Sequence, residues 1–203
     1  MFTGLISDIG TIVDMTASND TTRLRIACAY PADGIALGAS IACSGPCLTA
    51  VHIATEQGRT IFDVEAAKET LERTTLADWR IGRRINLERS LKIGDELGGH
   101  LVSGHVDGIA TVLARTEYGT TSRFDIEAPW PLARFIAEKG SVSLDGTSLT
   151  VNSVEQNRFS VLLIPHSLAV TTWNEVVAGS RLNLEIDQMA RYAARLADPE
   201  ARS

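Results

Sequence analysis

The sequence predicts an all-β protein made of two tandem, homologous six-stranded Greek-key barrels and a short C-terminal helix. The first observation behind this prediction is an internal repeat: residues 62–76 align without a gap on residues 159–173, at an offset of 97 positions. The second is the distribution of apolar residues, which occur in short or alternating runs that end at Gly, Asn or Asp. Roughly six such strand-like runs per copy favour a closed barrel, because closure leaves no edge strand free to aggregate.

The strands predicted in the first copy have counterparts in the second. The clearest runs are Leu24-Arg25-Ile26, Ile41-Ala42-Cys43, Thr60-Ile61-Phe62 and Ile85-Asn86-Leu87, followed by Phe124-Asp125-Ile126, Val142-Ser143-Leu144, Phe159-Ser160-Val161 and Leu182-Asn183-Leu184. Residues 62–68 are also predicted to form a strand that leads into a turn. Residues 64–76 have the composition of a helix, but the partner segment contains Pro165, which would break a helix interior. A shared fold therefore requires an extended chain in both copies.

Two helices are expected. One covers Pro131–Glu138 and is closed by Lys139-Gly140, and the other covers Gln188–Leu196. Four residues of the second helix share one apolar face: Met189, Tyr192, Ala193 and Leu196. A helix of this length is not stable alone, so we expect it to pack on its own barrels or on the same helix of another chain.

The chain is expected to divide near Gly98. Residues 91–100 are charged and glycine-rich, as is typical of a linker. The predicted units are a barrel at residues 1–97, a barrel at residues 98–187, and a helix and tail at residues 188–203. Each barrel unit has about 95 residues, enough to bury its own core.

Charge and composition exclude several classes of function. The net charge is −6 and only 19 residues are Lys or Arg, whereas nucleic-acid binding requires clustered basic side chains. Asp8 and Asp14 interrupt the first apolar run, and no basic segment precedes it, so neither a signal peptide nor a membrane span is expected. The three cysteines all lie in the first copy and suit a reducing compartment. We therefore expect a cytoplasmic protein without nucleic-acid or membrane partners.

The candidate chemistry lies where each copy has a glycine turn followed by a strand. Gly45-Pro46-Cys47-Leu48-Thr49 corresponds to Gly146-Thr147-Ser148-Leu149-Thr150. Because residues i and i+2 of a strand face the same side, Cys47 and Thr49 are expected to line one surface, as are Ser148 and Thr150. An ordinary barrel strand after a turn is the alternative, since no His-Asp partner has a diagnostic spacing.

One ionisable residue breaks the symmetry of the repeat. His105 stands where the first copy has Leu5, and its place between two glycines favours a site, although a lone histidine is more often structural. Thr70 and Ser167 also correspond to each other. Their hydroxyls can hydrogen-bond a flat heterocycle or lie in solvated turns.

A metal site is not predicted. Cys43, Cys47 and His52 form C-x3-C-x4-H, and His100 with His105 forms H-x4-H. Neither spacing is usual for zinc. Glycine-rich phosphate loops are absent from the sequence, which excludes a dinucleotide-binding domain of the usual kind.

Five motifs follow one another along the repeat. They are Met1-Phe2-Thr3-Gly4, Gly45-x-Cys47-Leu48-Thr49, Gly98-Gly99-His100-Leu101-Val102-Ser103-Gly104-His105-Val106-Asp107-Gly108, Asp145-Gly146-x-Ser148-Leu149-Thr150 and Ile164-Pro165-His166. Together they resemble the riboflavin synthases of the alpha-chain type, and the resemblance spans nearly the whole chain. Any one motif alone is weak evidence, whereas their order within a repeat is specific.

The resemblance implies a dismutation in which two molecules of 6,7-dimethyl-8-ribityllumazine exchange a four-carbon unit, giving riboflavin and 5-amino-6-ribitylaminouracil. It implies no external cofactor, because the lumazine is its own electron sink. It also implies a homotrimer in which the N-terminal barrel of one subunit faces the C-terminal barrel of its neighbour, with the C-terminal helix contributing to assembly. Association with a lumazine synthase is a further partnership that the resemblance suggests.

The resemblance also assigns residues to two pockets, each binding one lumazine. The first pocket comprises Gly4, Leu5, Ile6, Cys47, Leu48, Thr49, Glu65, Ala66, Ala67, Lys68, Glu69 and Thr70, closed by Phe2. The second comprises Gly104, His105, Val106, Lys139, Ser148, Leu149, Thr150, Ile164, Pro165, His166, Ser167, Leu168 and Ala169. The candidates for proton transfer and nucleophile handling are Ser40, Cys47, His105, Ser148 and Thr150. Asp145 and Asp187 are expected to orient neighbours such as Lys139.

Two other readings use the same barrels. A non-catalytic lumazine- or flavin-binding antenna protein tends to lose polar residues from one pocket, whereas Cys47, Thr49, Ser148 and Thr150 are all present here. The flavin barrel of a reductase would be followed by a nicotinamide-binding half, which this sequence lacks. The enzyme is therefore the favoured reading.

Overall fold

In the computed structural model, which describes residues 1–18 and 20–198, the chain forms two closed antiparallel barrels of six strands each. The strands of the first barrel are β1 (Asp8–Ala17), β2 (Thr21–Cys28), β3 (Ser40–Cys43), β4 (Cys47–Glu56), β5 (Arg59–Ala67) and β6 (Arg84–Arg89). Those of the second are β7 (Gly108–Tyr118), β8 (Thr121–Glu127), β9 (Ser141–Leu144), β10 (Thr147–Glu155), β11 (Arg158–Leu163) and β12 (Arg181–Ile186). The predicted duplicated barrel is confirmed.

The two barrels have the same Greek-key topology. Around the first barrel the strands follow the order β1-β2-β5-β4-β3-β6, and around the second the equivalent order β7-β8-β11-β10-β9-β12. Each barrel is filled by its own buried apolar side chains, which form one cluster around Phe62 and another around Phe124. In the second cluster the ring of Phe124 meets the edge of Trp173 at a centroid distance of 4.8 Å. Each barrel therefore has its own core.

The segment at residues 62–68 is partly as predicted. Residues 62–67 belong to β5, but the chain then forms the helix α1 (Lys68–Arg73) instead of a turn. Its counterpart is the helix α3 (Pro165–Val170), in which Pro165 occupies the first helical position. At that position the missing N–H of proline costs nothing, because the first N–H groups of a helix have no partner within it. The proline argument against a helix was therefore wrong.

The helix predicted at Pro131–Glu138 is shorter than expected. Only α2 (Trp130–Ala133) is helical, and the next N–H groups donate to carbonyls three residues back, Phe135 to Leu132 at 3.0 Å and Ile136 to Ala133 at 3.1 Å. This tighter path buries Ile136 against the core of the second barrel. Burial of an apolar side chain overrides helix propensity here.

The C-terminal helix α4 (Gln188–Ala197) confirms the second helix prediction. Asp187 caps it, because the Asp187 side chain accepts the Met189 N–H at 2.9 Å. On its outer face Met189, Tyr192 and Leu196 are 69%, 63% and 76% exposed.

None of the helices in the described chain is long and apolar enough to cross a membrane. Residues 199–203, the predicted tail, lie outside the described residues.

Two backbone segments cross between the barrels. We define the first arm as residues 2–6, which precede β1, and the second arm as residues 102–106, which precede β7. The two arms pair with each other. The Phe2 N–H donates to the Val102 carbonyl at 2.8 Å, and the Val102 N–H donates to the Phe2 carbonyl at 3.1 Å. The domain limits 1–97, 98–187 and 188–203 stay a prediction.

A second set of contacts joins the barrels through two buried asparagines. Asn183 donates from Nδ2 to the Ser44 carbonyl at 2.7 Å and accepts the Thr75 N–H at 2.7 Å. Asn86, its counterpart, donates to the Asp145 carbonyl at 3.0 Å and accepts an N–H from the start of a short 3-10 helix at 2.8 Å. Each side chain satisfies one carbonyl and one N–H of the opposite barrel. Buried groups that lose such partners are costly.

Replacing Asn183 by alanine should therefore destabilise the protein strongly. We call these buried contacts between the barrels the seam. The Asn183→Ala change leaves the Ser44 carbonyl and the Thr75 N–H without a hydrogen-bond partner in the seam. Each buried unpaired group lowers the free energy of unfolding by about 1–3 kcal/mol. Urea denaturation followed by tryptophan fluorescence measures the effect. The matched control is Asn174→Ala, at an exposed position of the second barrel. Equal unfolding midpoints for the two variants would show that the asparagine does not hold the seam together.

Candidate active site

The two predicted polar surfaces occupy equivalent strand starts. Cys47 opens β4, Leu48 points into the first core, and Thr49 is exposed on the same side as Cys47. At the start of β10, Ser148 and Thr150 face outward while Leu149 joins the second core. The expected shared faces are confirmed, and they follow from strand periodicity.

Each of these strand starts is contacted by the arm that leads into the other barrel. The Cys47 N–H donates to the Gly104 carbonyl at 2.8 Å, and the Ser148 N–H donates to the Gly4 carbonyl at 2.8 Å. Both glycines have left-handed backbones, with φ of 75° at Gly4 and 76° at Gly104. A Cβ added to either would lie 2.5 Å from the Cβ of Ser148 or of Cys47. Only glycine allows so close an approach in this conformation.

The surface around Cys47 forms a cavity of about 350 Å³, which we call the Cys47 pocket. Its walls come from β4, from α1 and from the second arm. The residues that line it are Pro46, Cys47, Glu69, Thr70, Arg73, Thr74, Gly104, His105 and Val106. Cys47 and the exposed His105 therefore share one pocket, although they belong to different copies of the repeat.

The equivalent surface around Ser148 carries a different histidine; we name it the Ser148 pocket because it corresponds by the repeat to the Cys47 pocket. His100 Nδ1 and Ser148 Oγ are 2.7 Å apart and share a hydrogen bond. The His100 N–H donates to the Thr3 carbonyl at 3.1 Å, which fixes the imidazole beside the first arm. A Cβ at Gly99 would lie 2.0 Å from that carbonyl. Glycine at position 99 is therefore required for His100 to reach Ser148.

The environment of His100 favours its neutral form. Burial lowers the pKa of the imidazole, because desolvation disfavours the charged form, and nearby Asp187 acts in the opposite direction. Nε2 of His100 is buried and has no hydrogen-bond partner within residues 1–18 and 20–198. With the proton of the neutral ring on Nε2, Nδ1 accepts the Ser148 hydroxyl, which is the geometry of a general base. The H-x4-H spacing did not reveal this pairing, although His100 and Ser148 each belonged to one of the five motifs.

The backbone hydrogen bonds of the two arms differ from the expected grouping of residues into two pockets. Residues 4–6 were grouped with Cys47 and residues 104–106 with Ser148, as if each copy of the repeat built its own pocket. The hydrogen bonds from Ser148 to Gly4 and from Cys47 to Gly104 show the opposite pairing. Each arm lies against the strand start of the other barrel.

Two further candidates lie at the edges of these pockets. Phe2 is fully buried and packs with Ala42 and Val102 beneath Cys47. Ser40 is the β3 partner of Thr49 in the sheet, yet it lines a larger neighbouring cavity of about 570 Å³ between the first arm and residues 88–96. Leu5 also lines that cavity. The structure therefore brings neither Ser40 nor Leu5 into the Cys47 pocket.

The remaining candidates fall on the segments that follow the central strands. Glu65, Ala66 and Ala67 end β5, and Lys68, Glu69 and Thr70 open α1. In the second barrel Ile164 precedes α3, which contains Pro165, His166, Ser167, Leu168 and Ala169.

Lys139 is exposed in a turn, with a φ of 63°. Across the described chain it forms no ion pair with Asp145 or Asp187, so these carboxylates do not orient it.

Asp145 has a structural place in the seam between the barrels. It is buried, and its Oδ1 accepts the Asn183 N–H at 2.7 Å, as the Ser44 hydroxyl accepts the Asn86 N–H at 3.0 Å in the first barrel. Burial raises the pKa of Asp145 from 3.8 to about 7, against the opposing effects of the Asn183 hydrogen bond and of Arg83. A carboxyl has replaced a hydroxyl at this position, which makes the seam sensitive to pH.

The free energy of unfolding should therefore contain a contribution from Asp145 that is lost as pH rises. The folded carboxyl holds its proton more tightly than the unfolded one, so its stabilisation is complete below pH 3.8 and disappears through about pH 7. The Asp145→Asn variant lacks this titration, so its stability relative to the unmodified protein should increase between pH 5 and pH 8. Thermal unfolding across that range tests this, with exposed Asp20→Asn as the control. A difference that does not change with pH would contradict the assignment.

No three His, Cys, Asp or Glu side chains of the described residues are arranged to hold a metal ion. In particular, Cys43 is buried in the first core, whereas Cys47 faces the pocket and His52 is exposed. The Cys47 pocket itself presents thiol, hydroxyl, imidazole, carboxylate and guanidinium side chains.

Comparison with known proteins agrees with this architecture. A model of the lumazine binding domain matches the chain twice, over residues 3–90 and 103–187. The riboflavin synthase of Brucella abortus is 59% identical over 97% of this chain and 98% of its own. That of Mycobacterium tuberculosis is 40% identical over the same shares. The crystal structure of LumP complexed with riboflavin has a TM-score of 0.78 at 24% identity, covering 92% of this chain and 99% of that one.

A duplicated barrel with two matched domains defines a lumazine-binding protein, and the chain belongs to the lumazine binding domain family. Within that family it belongs with the riboflavin synthases, as the two full-length relatives show. The resemblance inferred from the five motifs is confirmed. The likeness to LumP establishes the barrel fold.

Proposed function

We propose that the Cys47 pocket and the Ser148 pocket bind the two lumazines of the riboflavin synthase reaction. The chain is a riboflavin synthase, a transferase that moves a four-carbon unit between two molecules of 6,7-dimethyl-8-ribityllumazine. The products are riboflavin and 5-amino-6-ribitylaminouracil, whose atoms sum to those of the two substrates. The carrying observation is the full-length similarity to riboflavin synthases in a chain whose two barrels have equivalent polar strand starts, at Cys47 and at Ser148.

The pocket residues support roles in proton transfer. His100, held neutral beside Ser148, can accept a proton from the hydroxyl, and Thr150 lies on the same face. In the other pocket Cys47 and His105 supply a thiol and an imidazole. We propose Cys47, His105, Ser148 and Thr150 as the catalytic residues.

We also propose a catalytic role for Ser40, which lies outside the Cys47 pocket and pairs with Thr49 in the adjacent strand. Phe2 completes the first site from beneath Cys47, where it is already packed. The substrate-binding segments are residues 4–6, 47–49, 65–70, 104–106, 148–150 and 164–169, with Lys139. Each pocket thus combines one arm, one strand start and one short helix.

No external cofactor is needed in this proposal. Loss of a proton from the C7 methyl of lumazine gives an anion that is delocalised over the ring, so the substrate itself accepts the electron pair. The protein then has to hold two heterocycles in a productive orientation, which lowers the entropic part of the barrier. It also supplies the groups that move protons.

The dismutation is tested by giving the metal-free protein 6,7-dimethyl-8-ribityllumazine as its only substrate. We expect one riboflavin per two lumazines consumed, measured by absorbance and chromatography.

Cys47→Ala and Ser148→Ala should each lower kcat, by roughly 10²–10⁴-fold if they act in proton transfer. The matched control is Ser18→Ala, at an exposed position whose hydroxyl makes no hydrogen bond in the described structure.

Two outcomes would contradict the proposal. Tight binding of lumazine without turnover would make the chain an antenna or storage protein. Unchanged turnover in both the Cys47 and Ser148 variants would remove these side chains from the mechanism.

We also propose that the chain works as a homotrimer in the cytoplasm. The support is the apolar outer face of α4, on which Met189, Tyr192 and Leu196 are exposed within the part of the chain that the structure describes. A helix of this length gains stability mainly by packing such a face. The reacting lumazines would then meet between the barrels of neighbouring subunits. Association with lumazine synthase stays a prediction.

Assembly is tested by light scattering on the eluted protein. We expect about three times the chain mass of 21.9 kDa, and we expect Tyr192→Glu to dissociate the assembly because it buries a charge in the apolar contact. The control is Arg195→Gln on the same helix, which leaves that face intact. A monomer that keeps full turnover would contradict the proposed trimer.

A further inference from the structure

Two buried glutamates occupy equivalent places near the ends of the strands that close the barrels. Glu88 lies in β6 and is 5% exposed, and Glu185 lies in β12 and is 2% exposed. Neither lines the Cys47 pocket. Buried carboxylates are expensive unless they are paired or hydrogen-bonded, so their contacts indicate what they do.

Both oxygens of Glu88 bind the first arm. Oε1 accepts the Thr3 N–H and the Thr3 hydroxyl, each at 2.7 Å, and Oε2 accepts the Gly4 N–H at 2.9 Å. The carboxylate therefore holds two consecutive N–H groups of the arm in a fixed orientation. No basic side chain is ion-paired with Glu88 in the described chain.

Glu185 repeats this arrangement on the second arm. Oε1 accepts the Ser103 N–H at 2.7 Å and the Ser103 hydroxyl at 2.6 Å, and Oε2 accepts the Gly104 N–H at 2.9 Å. We call each glutamate with the three hydrogen bonds that it accepts from its arm a clamp. The two clamps have equivalent donors at nearly the same distances. Such agreement between the copies indicates a shared requirement on the arms.

The clamped peptides are the ones that reach the opposite barrel. With its N–H held by Glu88, Gly4 presents its carbonyl to Ser148, and Gly104, held by Glu185, presents its carbonyl to Cys47. The Thr3 carbonyl of the same clamped arm also accepts the His100 N–H. Each glutamate thus lies in one barrel but fixes a wall of the pocket on the other.

We infer that Glu88 and Glu185 are crosswise positioning residues: Glu88 of the first barrel sets the geometry of the Ser148 pocket, and Glu185 of the second barrel sets that of the Cys47 pocket. This inference rests on the proposed function of the two pockets. The hydrogen bonds of both glutamates go to the arms and not to the groups assigned to proton transfer, so each acts through its arm. The two barrels are functionally interdependent in one chain for this reason.

The inference is tested with Glu88→Gln and Glu185→Gln in the full chain. An amide keeps the size of the side chain, but its NH₂ group is a donor. It therefore faces a donor of the arm, and the hydrogen bond between them is lost. Histidine ring NMR signals report both pockets at once, through His100 for the Ser148 pocket and His105 for the Cys47 pocket. His52, on the outside of β4, is the internal control. Alkylation by iodoacetamide adds a second report on Cys47, because Cys28 and Cys43 are buried.

Glu88→Gln should shift the His100 signal and leave His105 and the alkylation rate of Cys47 unchanged. Glu185→Gln should shift the His105 signal, change the alkylation rate several-fold and leave His100 unchanged. Effects on the pocket of the same barrel, or equal effects on both pockets, would overturn the inference. If a glutamine variant does not fold, Thr3→Val and Ser103→Ala test the same pattern; each removes one hydrogen bond to the glutamate, together with the bond that the same hydroxyl accepts from the Leu5 or the His105 N–H.

These readouts need no turnover, so they separate this inference from the proposed activity. A crosswise pattern in a protein that makes no riboflavin would leave the positioning role intact and remove the proposed function. Normal turnover with effects on the same barrel would do the reverse.

Discussion

The exchange of two backbone arms between the barrels is the constraint on which the rest of the structure depends. Four hydrogen bonds define it, between Phe2 and Val102 and from Cys47 and Ser148 to the glycine carbonyls. They require glycine at positions 4 and 104, where a Cβ would collide with the opposite strand. Glu88 and Glu185 fix the arms by accepting the N–H groups of Gly4 and Gly104. Neither pocket is complete within a single barrel.

This symmetric frame carries unequal chemistry. Ser148 is hydrogen-bonded to the half-buried His100, whereas Cys47 shares its pocket with the exposed His105. A reaction between two identical molecules needs such a difference, because one lumazine gives up the four-carbon unit and the other accepts it. The seam is unequal too, since Asp145 replaces the hydroxyl of Ser44. The repeat provides the common frame, and the differences between its two copies provide distinct side-chain chemistry.

The repeat and the strand periodicity predicted the barrels and the outward faces of Cys47 and Ser148, because both are properties of regular structure. The arm exchange was not predictable in this way. It depends on backbone groups of a few irregular residues, and Gly4 looks the same in sequence whichever strand it approaches. The α1 helix was missed because Pro165 stands at a helix start, where it is tolerated. His100 and the two glutamates act through contacts distant in sequence, which no spacing rule reports.

The most direct test of the crossed arrangement is a crystal structure with a non-reactive lumazine analogue in both pockets. The account predicts that the analogue beside Ser148 contacts residues 4–6 and that the analogue beside Cys47 contacts residues 104–106. Contacts from residues 4–6 to the analogue beside Cys47 would contradict it, because each barrel would then build its own site.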